Sequence, residues 1–543
     1  MADNPQTTRQ SIVSHPRYLN LLVFVAGFVT LGVELTAARL LDPWFGNSIL
    51  VWAALIGLVL AWLSVGYWLG GRIADRRPEA ALLYAIALAA ALLVALIPVA
   101  SRPILQRAAL SSLNLENFSA GLLLGSAVAI LVLFSLPTLL LGIVSPFAIR
   151  LAVSDVRSSG QVAGRLYALS TLGSLLGTFV PVLILIPAVG ARLTFELLAG
   201  TLAVVALIGL LLERGRRAAP AALAIPALLG LTWVSAQGAV KPEAGLLYEG
   251  ESLYNYFQVV QHGPETWLKL NEGIGLHSVY HPQSALSDGI WDYFLVAPLF
   301  GEGREGNDGN KGKEGMDGTR VESMYLVGLA GGTVAQLYSD VYGPVPIDGA
   351  ELDPEIIAAA RTYFHLDDYP NVNAVAADGR SWLAAQPPER RYSVIAIDAY
   401  RPPYIPFQLA TMEFFEIVRD HLAVDGVVAV NAARSKDDYS LVNALAATMA
   451  QVFPSVYIVD ESTEGWSLGN SLVVATMQPT TLDDFLANAA TLDPAAQPLL
   501  SEMATRAIVT ARPANLAGAI LTDDKAPIEQ IIHGIMLRYF LEG

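Results

Sequence analysis

The sequence predicts a multi-pass helical membrane domain of about seven helices, followed by a soluble α/β domain with a small β-subdomain ahead of it. Three observations predict this. Apolar residues make up 54% of the 543 and charged ones only 15%, against about 25% charged in an ordinary soluble chain, and the apolar excess lies before residue 240. Residues 247–280 are rich in aromatic and branched side chains, the composition of strands. Beyond Glu322, apolar strand-like runs alternate with helical ones, the pattern of a parallel sheet covered on both faces.

A polar leader, residues 1–18, opens the chain. The apolar stretch after it is too long for a signal peptide and is closed by no A-x-A-like site, so it is expected to remain as a helix. A spanning helix needs about 20 apolar residues to cross about 30 Å of hydrocarbon. Within residues 19–238, stretches near 19–41, 50–71, 80–100, 120–149, 167–188, 194–212 and 219–237 meet that need. The fourth is expected to kink at Pro137, where an amide is missing. The seventh is the weakest, rich in Ala and interrupted by Pro226. The loops on the N-terminal side carry Arg9, Arg17, Arg72, Arg76, Arg77 and the later arginines at 150–165 and 214–217, whereas the other side has Arg102, Arg107, Arg192 and Lys241. This bias puts the N-terminus in the cytoplasm. Seven crossings then put the C-terminal domain outside; six, with the weak segment not crossing, leave it inside. Glu34, Arg39 and Glu196 fall within or near spans, where charge is costly. They read either as a polar path or as an internal ion pair with the outer groups reaching the headgroups.

Residues 239–246 form a short joint. The β-rich subdomain, 247–300, contains LLYEGESLYNYFQVV and TWLKLN. Residues 301–319 then carry Gly at every third position from Gly303 to Gly318. That is the collagen period, but without proline, and a solvated flexible loop is expected.

In residues 320–543 the strands read SMYLVGL, VPIDGAEL, VNAVAA, SVIAID, GVVAVNA, SVYIVD and SLVVATM, with helices such as 354–364, 409–422 and 440–453 between them. The last strand follows its neighbour through a Gly-Asn turn and is expected to be antiparallel. The layout is that of a Rossmann-like sheet of methyltransferase type. Ligands bind at the carboxyl ends of such strands. After the first strand, Gly328, Gly331 and Gly332 let a ligand approach the backbone at a helix N-terminus. Glu351 ends the second strand, at a spacing suited to a ribose diol. Asp378-Gly379 follows the third, where a carboxylate can receive an adenine amino group. Each could instead be a helix cap, as Asp378 is well placed to be. In this order they point to an adenosine pocket.

The strings GLAGGT, GAELDPEII, AADGRSWL, IDAYRPPYIP, LATMEFFEIVRDHL and LTDDKAPIEQ resemble those of spermidine and spermine synthases, and most of all the bacterial membrane-fused members. The resemblance covers about residues 247–542, and GVELTAARLLDPWFG, GYWLGGRIADR and GRLYALSTLGSLLGT resemble the fused membrane part. It implies aminopropyl transfer from decarboxylated S-adenosylmethionine to an amine, with methylthioadenosine released. Glu351 would hold the ribose, Asp378 the adenine, and Asp398 would take the proton of the attacking amine. Asp292 or Tyr404 would assist Asp398. Glu251-Ser252 with Tyr254 resembles the family's E-S-x-Y, with Asn255 in place of Gln at the nucleoside. Tyr254, Trp291, Tyr400 and Arg401 would face the amine. There are departures. The family's D-x-x-D is here Asp398-Ala399-Tyr400-Arg401, and Ile290-Trp291-Asp292 replaces Y-x-E. Ala330 stands for a glycine of the nucleotide turn. An Arg in place of a carboxylate repels a diammonium ion, which argues against putrescine.

Other classes are disfavoured. The net charge of −16 argues against nucleic acid, which calls for clustered Lys and Arg. No cysteine is present and the seven histidines show no metal-ligand spacing, so no metal is expected. Gly465-Trp466-Ser467-Leu468-Gly469 matches a hydrolase elbow, but a strand follows it where a helix should. The implied partners are the bilayer, a small amine, and a further copy or a larger membrane complex. Two rival readings remain: a catalytically degenerate domain serving as sensor or subunit, and a polyamine transporter using Glu34.

Overall fold

The computed structural model describes residues 16–46, 48–113, 118–271, 275–301, 321–400, 405–462 and 468–542. The Gly-rich repeat therefore lies outside the described residues, as does most of the elbow-like motif. The chain divides into two units: one comprises the helices up to Pro242 together with Glu251–Tyr256, the other Glu243–Gly250 and everything from Phe257.

The first unit contains α1 (Pro16–Phe45), α2 (Ile49–Arg76), α3 (Ala80–Leu113), α4 (Phe118–Ala152), α5 (Ser159–Val180), α6 (Ile186–Arg214) and α7 (Ala224–Ser235). Among the described residues five uninterrupted helical runs are long and apolar enough to cross a membrane, the last being Val156–Ser235. That run bends at Gly190 (φ +76°) and Gly215 (φ +55°), conformations that a residue without Cβ adopts freely. Three rods result, and the expected spans 167–188, 194–212 and 219–237 fall on them in turn. Pro137 lies inside α4, which continues through it.

Direct backbone contact joins the rods. A Cβ on Gly173 would stand 2.0 Å from Phe24 O, and one on Gly177 2.1 Å from Phe28 O, which seats α5 against α1. Gly66 meets Leu139 O at 2.3 Å in the same way, seating α2 against α4. Without a hydrophobic force between helices in lipid, small residues permit this close packing. At one end of the bundle the ring of Tyr18 lies 5.9 Å from that of Tyr84, tilted by 56°, and Arg214 reaches Glu79 at 3.6 Å. At another, Arg192 donates to Ser235 O and Gly238 O, both at 3.0 Å.

The second unit opens with a four-stranded sheet in sequential order, β1 (Leu246–Glu251), β2 (Tyr256–His262), β3 (Glu265–Leu270) and β4 (Leu276–Tyr280). The short helix α8 (Ile290–Tyr293) follows. The main sheet contains β5 (Met324–Val327), β6 (Ile347–Glu351), β7 (Val372–Ala376), β8 (Tyr392–Ile397), β9 (Leu422–Ser435), β10 (Ser455–Asp460), β11 (Leu468–Thr476) and β12 (Arg512–Pro513). Its order is β12-β10-β11-β9-β8-β5-β6-β7. β5 to β9 run parallel, and β11 lies antiparallel between β9 and β10. This is the methyltransferase-type arrangement the sequence predicts. One detail differs: Gly469-Asn470 lies inside β11, paired with β9, not in the turn before it.

Helices α9 (Thr333–Tyr342), α10 (Pro354–Tyr363), α11 (Gly379–Ala384), α12 (Met412–Asp420), α13 (Ser440–Met449), α14 (Leu482–Ala490), α15 (Pro498–Thr510) and α16 (Ile528–Glu542) complete the unit. Met324 and Leu326 of β5 enter one apolar cluster, with α14 and α15 residues such as Phe485 and Met503. Tyr325 and Val327 enter the other, with Phe414 of α12 and Leu445 of α13. Alternate residues of a strand face opposite sides, so the central strand is buried on both and its carboxyl end is left for a ligand.

Candidate functional site

At the tip of β5 the chain turns through Gly328 (φ +91°), Ala330 (φ +48°) and Gly332 (φ +95°) into α9. A Cβ on Gly328 would stand 2.6 Å from Asp398 O and 2.7 Å from Ala399 N. The bare glycine thus lets the turn lie directly on the tip of β8. Gly331 N donates to Ser278 Oγ at 2.8 Å. Ala330 holds a left-handed conformation that costs an L-residue about 1–2 kcal/mol. Its methyl packs beside the apolar cluster of Phe257, Val259 and Phe364.

Glu351 is the last residue of β6. Its Oε2 accepts from Ala330 N at 3.0 Å and its Oε1 from Asp353 N at 3.1 Å. Burial nevertheless pushes its carboxyl up to about 7, against the pull of those amides. The carboxylate thus closes the glycine turn on one side, while Asp398 flanks it on the other.

Asp378 occupies the helix-cap position: its Oδ1 accepts from Ser381 N at 2.8 Å at the start of α11. Gly379 O accepts from Tyr325 Oη at 2.6 Å, tying this tip to β5.

Asp398 follows β8. Burial pushes its carboxyl up to about 7, opposed by hydrogen bonds from Asn431 and Trp291. Asn431 Nδ2 donates to Asp398 Oδ1 at 2.9 Å. Two residues on, Ala433 N donates to Tyr400 Oη at 2.8 Å, so β9 steadies both side chains. Asn431 is 5% exposed, and its Oδ1 has no partner among the described residues. A buried amide oxygen left open beside a carboxylate is an acceptor ready for an N–H. Sequence reasoning missed Asn431. The available signal was a lone amide inside the apolar run GVVAVNA, beside the strand that carries Asp398.

Asp292 sits differently. It is fully buried and accepts from Ser287 N at 2.9 Å, Ser287 Oγ at 2.7 Å and Asp288 N at 2.8 Å. Its carboxylate is spent on fastening that loop, and the neighbouring Trp291 is the group that reaches Asp398. Tyr254 and Asn255 lie in the segment grouped with the helices, in a turn where both amides donate to Ser252 Oγ at 3.0 Å. The expectations at Arg401 and Tyr404 fall outside the described residues. No cluster of potential metal ligands occurs among the described residues.

The chain matches no family model. It is 31% identical over 317 residues to a probable polyamine aminopropyl transferase of Bifidobacterium longum, a match covering 54% of this chain and 64% of that one. It is 28% identical over 137 residues to a polyamine aminopropyltransferase of Vibrio vulnificus, covering 25% and 45%. The matches thus span from under half to just under two thirds of these relatives. Among solved structures it is similar to a probable spermidine synthase from Corynebacterium glutamicum, at 18% identity and TM-score 0.37 over 49% of this chain and 95% of that one. A spermidine synthase from Thermotoga maritima gives 17% identity and TM-score 0.34 over 47% and 87%.

Proposed function

We propose that the chain, which is similar over 317 residues to a probable polyamine aminopropyl transferase, is a membrane-bound transferase moving an aminopropyl group from decarboxylated S-adenosylmethionine to an amine. The observation that supports this most is the placement of Asp398 against Gly328, with Glu351 on the far side of the same turn. An adenosine seated on the turn would offer its ribose hydroxyls to the remaining lone pairs of Glu351, and Asp378 keeps an oxygen for the base. The neutral amine would attack the carbon beside the sulfonium. A C–N bond forms, the C–S bond breaks with its electrons returning to sulfur, and Asp398 takes the proton from nitrogen. Asn431 Oδ1 would accept from the same amine and so hold it in line.

A second reading is a domain that binds the nucleoside without transfer; the engagement of Asp292 by its own loop favours it. Two measurements separate the readings. Titration of the full protein with methylthioadenosine in a calorimeter should give submillimolar binding under either. Turnover, absent in Asp398→Asn while nucleoside binding persists, belongs to the enzyme alone. Turnover undiminished in Asp398→Asn would remove Asp398 as the base.

The supporting facts for location lie in the helical unit. Arg214 meets Glu79, beside the start of α3, whereas Arg192 meets Ser235 and Gly238 at the end of α7. The rod 215–235 therefore runs from one end of the bundle to the other. Its nine-residue 3-10 turn and twelve-residue α7 reach about 36 Å at about 2.0 and 1.5 Å per residue, enough for about 30 Å of hydrocarbon. That length supports a chain that leaves the bundle opposite its entry, and the arginine bias favours a cytoplasmic entry side.

A further inference from the structure

Arg380 lies in the first turn of α11, two residues beyond Asp378, yet its guanidinium is turned to the far end of the chain. Nη1 donates to Asp523 Oδ1 at 2.7 Å and Nη2 to Asp523 Oδ2 at 2.6 Å, while Nη1 also donates to Gln408 O at 3.0 Å. Among the described residues no ion pair joins Arg380 to Asp378. We propose that Asp523 is a positioning residue for nucleoside binding: it holds the Arg380 guanidinium off Asp378 and so leaves that carboxylate open to the amino group of adenine. This role rests on Asp378 serving the adenine, as in the proposed function.

Asp378 and Asp523 compete for one cation. Asp378 uses Oδ1 to cap α11, accepting from Ser381 N at 2.8 Å, and its other oxygen accepts from no group among the described residues. A carboxylate with an open oxygen attracts a neighbouring guanidinium, whose planar fork matches it. The field of Asp378 does reach Arg380. Hydrogen bonds to Asp523 raise the pKa of the guanidinium most, and the charges of Asp523, Glu413 and Asp378 act in the same direction.

Asp523 holds the guanidinium because its own loop is fixed. Thr411 Oγ1 donates to Asp523 Oδ1 at 2.8 Å, and the Asp523 amide donates to Glu413 Oε2 at 3.0 Å. Leu521 N donates to Thr448 Oγ1 at 2.9 Å, and Leu521 O accepts from Met412 N at 2.9 Å. The loop is thus pinned to the start of α12 and to α13. Turning the guanidinium to Asp378 would break all three of its bonds to Asp523 and Gln408. A bidentate pair set in such a network is the case in which a partly exposed ion pair contributes measurably. With the Asp523 side chain removed, Glu413 keeps its bond to the backbone amide, and Asp378 offers the guanidinium an open oxygen.

The test is calorimetric titration of the full-length protein in detergent with methylthioadenosine and with methylthioinosine, in which an oxygen replaces the amino group. Asp523→Ala should weaken methylthioadenosine binding about tenfold, the scale of one hydrogen bond to a charged group. It should not weaken methylthioinosine binding. Arg380→Ala should bind methylthioadenosine as the wild type does, and the double variant Arg380→Ala/Asp523→Ala should recover the affinity that Asp523→Ala loses. An ion pair that merely supports the fold gives the opposite pattern, with Arg380→Ala and the double variant as weak as Asp523→Ala for both nucleosides; that pattern overturns the proposal. Asp378→Asn keeps the helix cap but turns an NH2 group to the base. If Asp378→Asn weakens methylthioadenosine binding and Asp523→Ala does not, Asp523 loses its role while Asp378 keeps its own. Wild-type affinity in Asp378→Asn removes Asp378 from the adenine, and the role of Asp523 with it.

Discussion

Asp398 follows the end of β8, and the cost of charging it in that buried place lifts its carboxyl to about 7. A general base works only when ionised, so kcat/KM of the proposed transfer should fall about tenfold for each pH unit below that value. Asn431 stabilises the ionised form through its 2.9 Å hydrogen bond. Asn431→Ala should therefore move the acidic limb upward by about one to two units, since a hydrogen bond to a charged group contributes about 1.5–3 kcal/mol. A pH–rate profile unmoved in that variant would show that the amide does not set the base. Ala330 offers a prediction of stability at the same scale. With φ at +48°, Ala330→Gly should relieve about 1 kcal/mol of strain, visible as a higher urea midpoint. Acids at strand ends were legible in the sequence because the period of β6 and β8 exposes their tips whatever the packing. Asn431 and the engagement of Asp292 were not: each depends on a partner distant in sequence or on a loop geometry that composition does not encode.

At the scale of single elements, β4 carries His277 with its ring fully desolvated, which pushes its pKa down to about 4 from an ordinary 6.5. A folded pKa below the unfolded one means stability that is complete above pH 6.5 and lost as pH falls toward 4. The loss amounts to about 3 kcal/mol. Comparing urea unfolding of the wild type and His277→Leu across that window isolates the contribution, because the variant should lack that part of the slope. The helix α5 makes a second prediction. Gly173→Leu would drive a side chain into Phe24 O, so α1 and α5 must part, with a loss of several kcal/mol. Gly200→Ala, with open space around it, should stay within about 0.5 kcal/mol of wild type. Thermal midpoints in detergent distinguish the two, and equal midpoints would show that the α1–α5 contact carries little. The long apolar helices were readable from apolar length alone. Where the last run folds was not, since Gly190 and Gly215 resemble any other glycines until their torsions are seen. The antiparallel β11 was anticipated, but its start was set three residues late, because pairing with β9 outweighs the turn preference of Gly469-Asn470.

For the whole molecule, a reporter fused after Gly543 checks the direction of travel. Activity of an alkaline phosphatase fusion in the periplasm-type compartment, with none from a cytoplasmic fluorophore, is the expected result; the reverse would mean that the rod 215–235 stops short of crossing. The glycines along α5 and α2 carry a further implication. Backbones in direct contact cannot slide or tilt against each other without opening a gap along their length. The contacts at Gly173, Gly177 and Gly66 therefore make α1 with α5, and α2 with α4, two fastened pairs, each of which moves as one body.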